Sequence, residues 1–239
     1  MAIDRRTFLI NAGCFGVSAG IASAQTTKSN SAKQTLTGKK LVPPATGMIK
    51  VACALSKDVT GIDWVGPQAV FGAWLYDESA KQDRPFFEVF TVGESREPID
   101  SGFPLTPAYS YQDAPQAQVI VVPGQADSPQ LTEWLKTASK NADVTMSVCV
   151  GARHLAKAGL LDGQVATTHH QAIKPYTEEF PKVHWVSGVR FTEGPKVSTS
   201  AGVTAGIDLA LHVYERYFGR KKALTVARVM EYQGTGWLV

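Results

Sequence analysis

The sequence predicts an α/β sandwich with a mostly parallel central sheet. Apolar strand segments alternate with helical segments along the chain, an order typical of helices packed on both faces of a sheet. The segment 49–55 (IKVACAL) is a nearly continuous apolar run, and 119–122 consists of Val and Ile alone. Strands buried on both faces carry such runs instead of alternating apolar and polar residues.

The elements follow in order from spacing and turn residues. In 63–76 apolar residues recur at helical spacing, and Pro67 falls in the first turn, where proline is tolerated. Pro123-Gly124 ends a strand, and ligands of such sheets bind outside the carboxyl ends of the strands. The predicted strands are 49–55, 86–92, 119–122, 144–148, 165–168, 183–186 and 189–191. The predicted longer helices are 63–76, 128–138, 152–160, 202–218 and 220–232.

Residues 1–24 are predicted to be a twin-arginine signal peptide. Arg5-Arg6 precedes a short Gly/Ala-rich apolar stretch that ends in the small-residue cleavage pattern 22–24. The stretch is too short and too glycine-rich to span a membrane, although an uncleaved anchor is an alternative and a lipoprotein through Cys14 a weaker one. The pattern predicts a periplasmic protein that has no membrane attachment after cleavage.

Residues 25–47 are predicted to be a flexible linker, because they are rich in Gln, Thr, Ser, Lys and Gly and poor in apolar residues. One domain over 48–239 follows, long enough for a sizeable core. The net charge of the chain is +3, and its Lys and Arg residues are scattered, so no nucleic-acid partner is expected. Cys53 and Cys149 are expected to be free thiols, since Cys53 lies inside a central strand.

Cys149 is the candidate nucleophile. It stands between a buried strand and a helix, and Gly151 follows two residues later, as in the sharp turn of a nucleophile elbow. The helix N-terminus beyond it is expected to favour a thiolate and lower the pKa of the thiol. The alternative is a cysteine that is simply a small buried apolar residue.

Four segments carry a specific pattern when they are taken together: GIDWVGPQAVF (61–71), VIVVPGQ (119–125), SVCVGARHLAKAGLLDGQVATTHH (147–170) and TSAGVTAGIDLALHVYERYFG (199–219). In these segments the chain resembles the DJ-1/PfpI superfamily, and most closely its isonitrile hydratase branch. The resemblance implies a flavodoxin-like three-layer sandwich and makes Cys149 the family nucleophile. It also implies a homodimer, for which the apolar stretch 64–75 is a candidate surface, although a place for this stretch in the core of the domain fits equally well.

The resemblance places Asp63 as the acidic residue that faces Cys149. Beside a thiolate its pKa should be raised, and it could then act as a general acid. The alternative for Asp63 is a helix N-cap. His169 matches a family histidine that orients or activates the thiol, and a structural histidine is an equal alternative.

Gly124, Gln125, Val150 and His170 are predicted to line an oxyanion or substrate pocket, in part through backbone N–H groups. Three of them depart from the branch, where Gln125 is usually Gly, Val150 often Thr and His170 usually Trp. The side chain of Gln125 is expected to crowd or re-polarise this region. A metal site at the paired histidines is disfavoured because neighbours on a strand point to opposite faces.

The predicted activity is hydration of a small electrophile such as an isonitrile, through a thioimidate on Cys149 with Asp63 as acid and base. This chemistry needs no metal and no organic cofactor, and its partner is a small-molecule substrate. The alternatives are a thiol sensor of oxidative stress, a glyoxalase or deglycase, and an idle ligand-binding domain.

Overall fold

The computed structural model describes residues 39–239, so the predicted signal peptide and most of the predicted linker lie outside the described residues. The strands are β1 (Ile49–Ala54), β2 (Trp74–Asp77), β3 (Gln82–Pro85), β4 (Phe87–Gly93), β5 (Ile99–Asp100), β6 (Pro104–Leu105), β7 (Tyr109–Ser110), β8 (Val119–Val122), β9 (Val144–Ser147), β10 (Val165–Ala166), β11 (His184–Trp185), β12 (Phe191–Glu193) and β13 (Val197–Ser200). The helices are α1 (Gly61–Phe71), α2 (Pro129–Asn141), α3 (Ala152–Lys157), α4 (Ile173–Glu179), α5 (Ala205–Phe218) and α6 (Arg220–Val229).

Within this part of the chain, seven strands form one sheet in the order β12-β13-β9-β8-β1-β4-β7. Every neighbouring pair is parallel except β12 with β13. The predicted α/β sandwich with a mostly parallel sheet is therefore confirmed. None of the helices in 39–239 is long and apolar enough to cross a bilayer.

Two apolar layers cover the sheet, because alternate residues of each buried strand point to opposite faces. In β1, Val51 and Cys53 pack on the side of α1, α5 and α6, together with Phe71 and Tyr214. Ala52 and Ala54 pack on the other side with side chains of α2 and α3 such as Leu131 and Leu155. Helices on both faces thus bury β8 completely and β1 except for Lys50, as the apolar runs predicted.

The prediction of a helix over 63–76 is wrong at its C-terminal end. Helix α1 ends at Phe71, and Gly72 caps it by donating to the carbonyl of Gln68 at 2.7 Å. Trp74–Asp77 instead pairs with Gln82–Pro85 as an antiparallel hairpin. Trp74 is 64% exposed there, so it is not part of the core.

The predicted segments 165–168 and 183–186 form strands, but they are short and pair only with each other within the described residues. The segment predicted at 189–191 is found at Phe191–Glu193. Strand β13 was not predicted, since its sequence VSTS is polar. Two of its three hydroxyl groups are bonded inside the fold: Thr199 bonds to Thr192 at 2.9 Å and accepts from the backbone N–H of Thr167 at 2.7 Å, and Ser200 donates to the carbonyl of Ser147 at 3.2 Å.

Candidate active site

Cys149 lies on a left-handed turn directly after β9. Its φ is +57°, and residues Cys149–Gly151 form one turn of 3-10 helix that leads into α3. This region is unfavourable for residues other than glycine, so the surroundings must hold the turn in place. A Cβ on Gly151 would stand 2.2 Å from the carbonyl oxygen of Val122, so only glycine fits there. We call Ser147–Gly151 the elbow.

Three hydrogen bonds fix the elbow from neighbouring segments. The N–H of Cys149 donates to the carbonyl of Ala201 at 3.0 Å. The hydroxyl of Thr168 donates to the carbonyl of Cys149 at 2.8 Å, and that of Tyr176 to the carbonyl of Val150 at 3.4 Å. All three bonds end on backbone atoms of the elbow. They hold the strained turn in place and do not depend on the side chain of the cysteine.

The thiol of Cys149 is buried, at 7% exposure, and free. Burial, and then the charge of Asp63, raise the pKa of the thiol to about 11. Hydrogen bonds from the backbone N–H groups of Val203 and Val150 act in the opposite direction. The expected lowering of this pKa by the helix N-terminus is thus wrong, because desolvation and a like charge outweigh the N–H donors.

Val203 contributes to the site through its backbone, a role that no side-chain motif reveals. Its φ is +47°, which is rare for a β-branched residue. Its N–H bonds to the sulfur, while the neighbouring carbonyl of Ala201 binds the N–H of Cys149. The loop that precedes α5 is therefore bonded directly to the elbow, and each of the two segments contains one left-handed residue, Val203 and Cys149.

Asp63 lies in the first turn of α1 and is fully buried. The N-cap of this helix is Thr60, so the alternative interpretation of Asp63 as a cap is wrong. Its Oδ2 accepts from the N–H of Gly124 at 3.0 Å, and its Oδ1 has no partner among the described residues. Burial raises the pKa of Asp63 to about 7, although the Gly124 bond opposes this. A carboxyl group that titrates near neutrality suits acid and base chemistry.

Gly124 occupies the centre of the site because a side chain there would collide with its neighbours. A Cβ on Gly124 would stand 2.9 Å from Cγ2 of Val150 and 3.0 Å from Oδ2 of Asp63. Strand pairing of β8 with β9 brings the Pro123-Gly124 turn beside the elbow. The structure therefore brings together Cys149, Asp63, Gly124 and Val150, four of the seven predicted site residues.

Gln125 turns away from this centre, contrary to the expectation that its side chain crowds the oxyanion region. Its Nε2 donates to the carbonyl of Ala54 at 3.0 Å, and its Oε1 accepts from the N–H of Ser56 at 2.6 Å. The amide therefore ties the carboxyl end of β1 to the turn after β8.

His169 and His170 lie on a turn and not on a strand, so the expectation that they face opposite ways is wrong. Their ring centroids are 4.3 Å apart, and burial followed by the charge of His170 lowers the pKa of His169. Nδ1 of His169 accepts from the N–H of Gln171 at 3.3 Å, which is a structural capping bond. No hydrogen bond or charge interaction joins His169 to Cys149 in the described part. Among these residues, no three His, Cys, Asp or Glu side chains are placed to hold a metal ion.

The family model described as DJ-1/PfpI family matches residues 49–216 of this chain. The isonitrile hydratase of Pseudomonas putida is 29% identical over 194 residues, 77% of this chain and 78% of that protein. The HTH-type transcriptional regulator CdhR of Pseudomonas aeruginosa is 36% identical over 105 residues, 44% of this chain. The chain spans only 31% of the length of that regulator.

Solved structures share the fold. A THiJ/PfpI family protein from Pseudomonas syringae superposes with a TM-score of 0.67 at 21% identity, covering 90% of this chain and 83% of that one. DJ-1beta of Drosophila melanogaster superposes with a TM-score of 0.63 at 18% identity, covering 79% of this chain and all of that one. Since the family model spans most of the folded part and these folds agree, the chain belongs to the DJ-1/PfpI family.

Proposed function

We propose that this protein is a cysteine-dependent hydratase that converts a small isonitrile to an N-substituted formamide. One observation carries the proposal. A fully buried carboxyl group, Asp63, has a pKa raised to about 7 and acts electrostatically on the thiol of Cys149 at the elbow. Similarity to a protein named isonitrile hydratase over most of both chains supports the choice of substrate.

In the first half of the reaction, the sulfur of Cys149 bonds to the terminal carbon of the isonitrile. That carbon takes a proton from Asp63, and a thioimidate forms. At pH values between the pKa of Asp63, about 7, and that of Cys149, about 11, the two groups share one proton. The thiolate is present in those molecules in which Asp63 carries that proton. Backbone N–H groups of Val203 and Val150 stabilise the thiolate, which is the attacking form.

In the second half, water adds to the thioimidate carbon and gives one proton to the carboxylate of Asp63. The carbon–sulfur bond then breaks and the thiolate is restored. The remaining proton of the added water moves from oxygen to the substrate nitrogen, and the N-substituted formamide leaves. The reaction consumes one isonitrile and one water, with no change of oxidation state at the sulfur. Oδ1 of Asp63 is free for these transfers, since no described residue bonds to it.

The raised pKa of Cys149 favours this enzyme over a peroxide sensor. A thiol whose pKa is about 11 is almost entirely protonated at neutral pH, and peroxide reacts with the thiolate. An enzyme that pairs the thiol with an acid can form the thiolate in its substrate complex, whereas a sensor needs it at rest.

The test is turnover of phenyl isonitrile by fully reduced protein, with formamide measured by chromatography and the adduct on Cys149 by intact mass. We expect many formamides per protein and a transient adduct of the mass of the isonitrile. Wild-type protein that forms neither product nor adduct would contradict the proposal. Oxidation of Cys149 by peroxide in a one-to-one ratio, without turnover, would favour the sensor.

Export and dimerisation are part of the proposal. Ile62 and Val65 on α1 lie next to the buried Asp63 along the chain and are 44% and 43% exposed. Covering them in a homodimer would shield the site from water. Sedimentation of 39–239 at several concentrations measures dimerisation, and fractionation of cells that express the full chain measures export.

A further inference from the structure

The loop 201–204, between β13 and α5, carries the backbone groups that meet the elbow from the far side. The carbonyl of Ala201 accepts from the N–H of Cys149 at 3.0 Å, and the N–H of Val203 bonds to the sulfur. Val203 does so at a φ of +47°, and a strained conformation of this kind persists only where surrounding contacts hold it. We call 201–204 the donor loop.

Arg190 is bonded to the donor loop on both sides of Val203. Its backbone carbonyl accepts from the N–H of Ala201 at 2.9 Å, two residues before Val203. Its guanidinium donates from Nη2 to the hydroxyl of Thr204 at 3.3 Å, one residue after Val203. A single residue therefore brackets the strained position.

A buried carboxylate fixes the direction of the Arg190 side chain. Asp208, in the first turn of α5, is 1% exposed, and its Oδ2 accepts from Nε of Arg190 at 2.6 Å. Its Oδ1 accepts from the hydroxyl of Tyr232 at 3.0 Å. Because both oxygens of the carboxylate have partners, it holds the guanidinium in one orientation, beside Thr204.

The charges of this ion pair do not act on the thiol directly. In the described part of the chain, Asp63 of α1 is the only charged group that shifts the pKa of Cys149. Tyr176 of α4 also interacts with Cys149, but burial raises the pKa of its hydroxyl to about 12, so it is neutral near pH 7. Arg190 therefore acts on the sulfur only through the donor loop.

We propose that Arg190 is a positioning residue, which holds the donor loop so that the N–H of Val203 stays aimed at the sulfur of Cys149. This inference rests on the proposed function, in which the sulfur attacks as a thiolate and leaves as a thiolate. A fixed N–H group stabilises that negative charge in both steps. Without the Arg190 side chain, the strained Val203 is free to relax and to turn its N–H away.

The test compares Arg190→Met with Arg220→Met, a matched control at the other end of α5. The side chain of Arg220 is 41% exposed, as is that of Arg190, and it pairs with Glu215 at 2.7 Å. Iodoacetamide is added to each protein between about pH 7 and pH 9, where the alkylation rate of Cys149 follows its thiolate fraction. We expect Arg190→Met to react about fivefold more slowly than wild-type protein, as for a weakened hydrogen bond to a charged group, and Arg220→Met to react at the wild-type rate.

Turnover of phenyl isonitrile by Arg190→Met should fall in kcat, with KM within about twofold of wild-type protein. A role limited to stability would lower the melting temperature and loosen the loop around the buried thiol. Alkylation would then be unchanged or faster, which would overturn the inference.

Thr204→Val keeps the inference testable if Arg190→Met does not fold. It removes only the hydroxyl that the guanidinium binds, leaves the ion pair with Asp208 in place, and should slow alkylation about threefold. Alkylation needs no isonitrile, so the two proposals fail separately. Wild-type protein without turnover contradicts the proposed function, whereas wild-type alkylation rates in Arg190→Met and Thr204→Val contradict this inference alone.

Discussion

The two free cysteines of the described chain occupy very different surroundings. Cys53 lies in the middle of β1, paired in register with Thr91 and Val121 and fully buried. Cys149 lies at the end of β9 on a left-handed turn, with two N–H donors and a carboxyl group around it. Burial raises the pKa of both thiols, to about 12 for Cys53 and about 11 for Cys149. Burial alone therefore does not tell a structural cysteine from a nucleophile, and the polar groups around the sulfur do.

The difference extends to stability. Cys53 is paired with a strand on each side, and its side chain fills core volume. Around Cys149 the fold keeps two left-handed residues, Cys149 and Val203, and a buried carboxyl oxygen on Asp63 that has no partner within 39–239. Each of these features costs stability, on the order of 1–3 kcal/mol. Such features persist where a reaction requires them, which is consistent with the chemistry proposed for the elbow.

Removing each thiol in turn gives the largest expected contrast. Cys149→Ala should lower formamide turnover by about 1000-fold or more, because the covalent route is lost. Cys53→Ala should leave turnover within twofold and lower the free energy of unfolding by roughly 1 kcal/mol, through a small cavity in the core. Turnover assays and urea unfolding of both variants measure this. Equal activity in the two variants would remove the distinction between the cysteines.

Adding a side chain at Gly151, in the elbow, is expected to have the next largest effect. Gly151→Ala places a methyl group 2.2 Å from the carbonyl oxygen of Val122, and a backbone atom in a parallel sheet cannot give way. We expect a loss of about 3 kcal/mol in unfolding free energy, measured in urea, and loss of turnover. Gly159→Ala is the control, since Gly159 is left-handed but has open space around it. It should lose only about 1 kcal/mol and keep its activity.

Removing the carboxyl group of Asp63 should change both the pH dependence of the unfolding free energy and the rate of turnover. The pKa of Asp63 is raised in the folded state, so its contribution to stability is fully present below its unfolded value of 3.8 and is lost as pH rises through about 7. Wild-type protein should therefore lose about 4 kcal/mol of unfolding free energy between pH 4 and pH 8 relative to Asp63→Asn. Urea unfolding at both pH values measures this, with Glu88→Gln as an exposed control.

Asp63→Asn should also lower turnover by about 100-fold, the usual contribution of a positioned acid or base. Alkylation of Cys149 by iodoacetamide should begin at a lower pH in this variant, because the carboxylate is the second cause of the raised thiol pKa. An alkylation profile identical to that of wild-type protein would show that burial acts alone.

The sequence predicted the sheet and the elbow well because both depend on local patterns. Continuous apolar runs mark β1 and β8, and Gly151 marks a turn that admits no side chain. The hairpin at Trp74 was missed because its apolar residues continue the helical spacing of α1. Only Gly72 and Ala73 separate the two, and a single glycine does not fix a boundary.

The site was predicted in part for a similar reason. Cys149 and Asp63 carry reactive side chains, so their types could be read from the chain. Val203 acts through an N–H group, and every residue except proline has one. Gln125 and His169 carry polar side chains that satisfy backbone groups of their own neighbourhood. Partners of this kind are set by the tertiary fold, which local sequence does not specify.

The smallest expected effect concerns the side chain of Val150. Val150→Thr keeps the volume of the side chain and replaces one methyl group by a hydroxyl near Gly124. The backbone N–H of Val150, which bonds to the sulfur of Cys149, is unchanged by this substitution, so we expect turnover to change by about twofold or less. Turnover of phenyl isonitrile by the variant and by wild-type protein measures this. A larger change would show that the side chain of Val150, and not only its N–H group, takes part in the reaction.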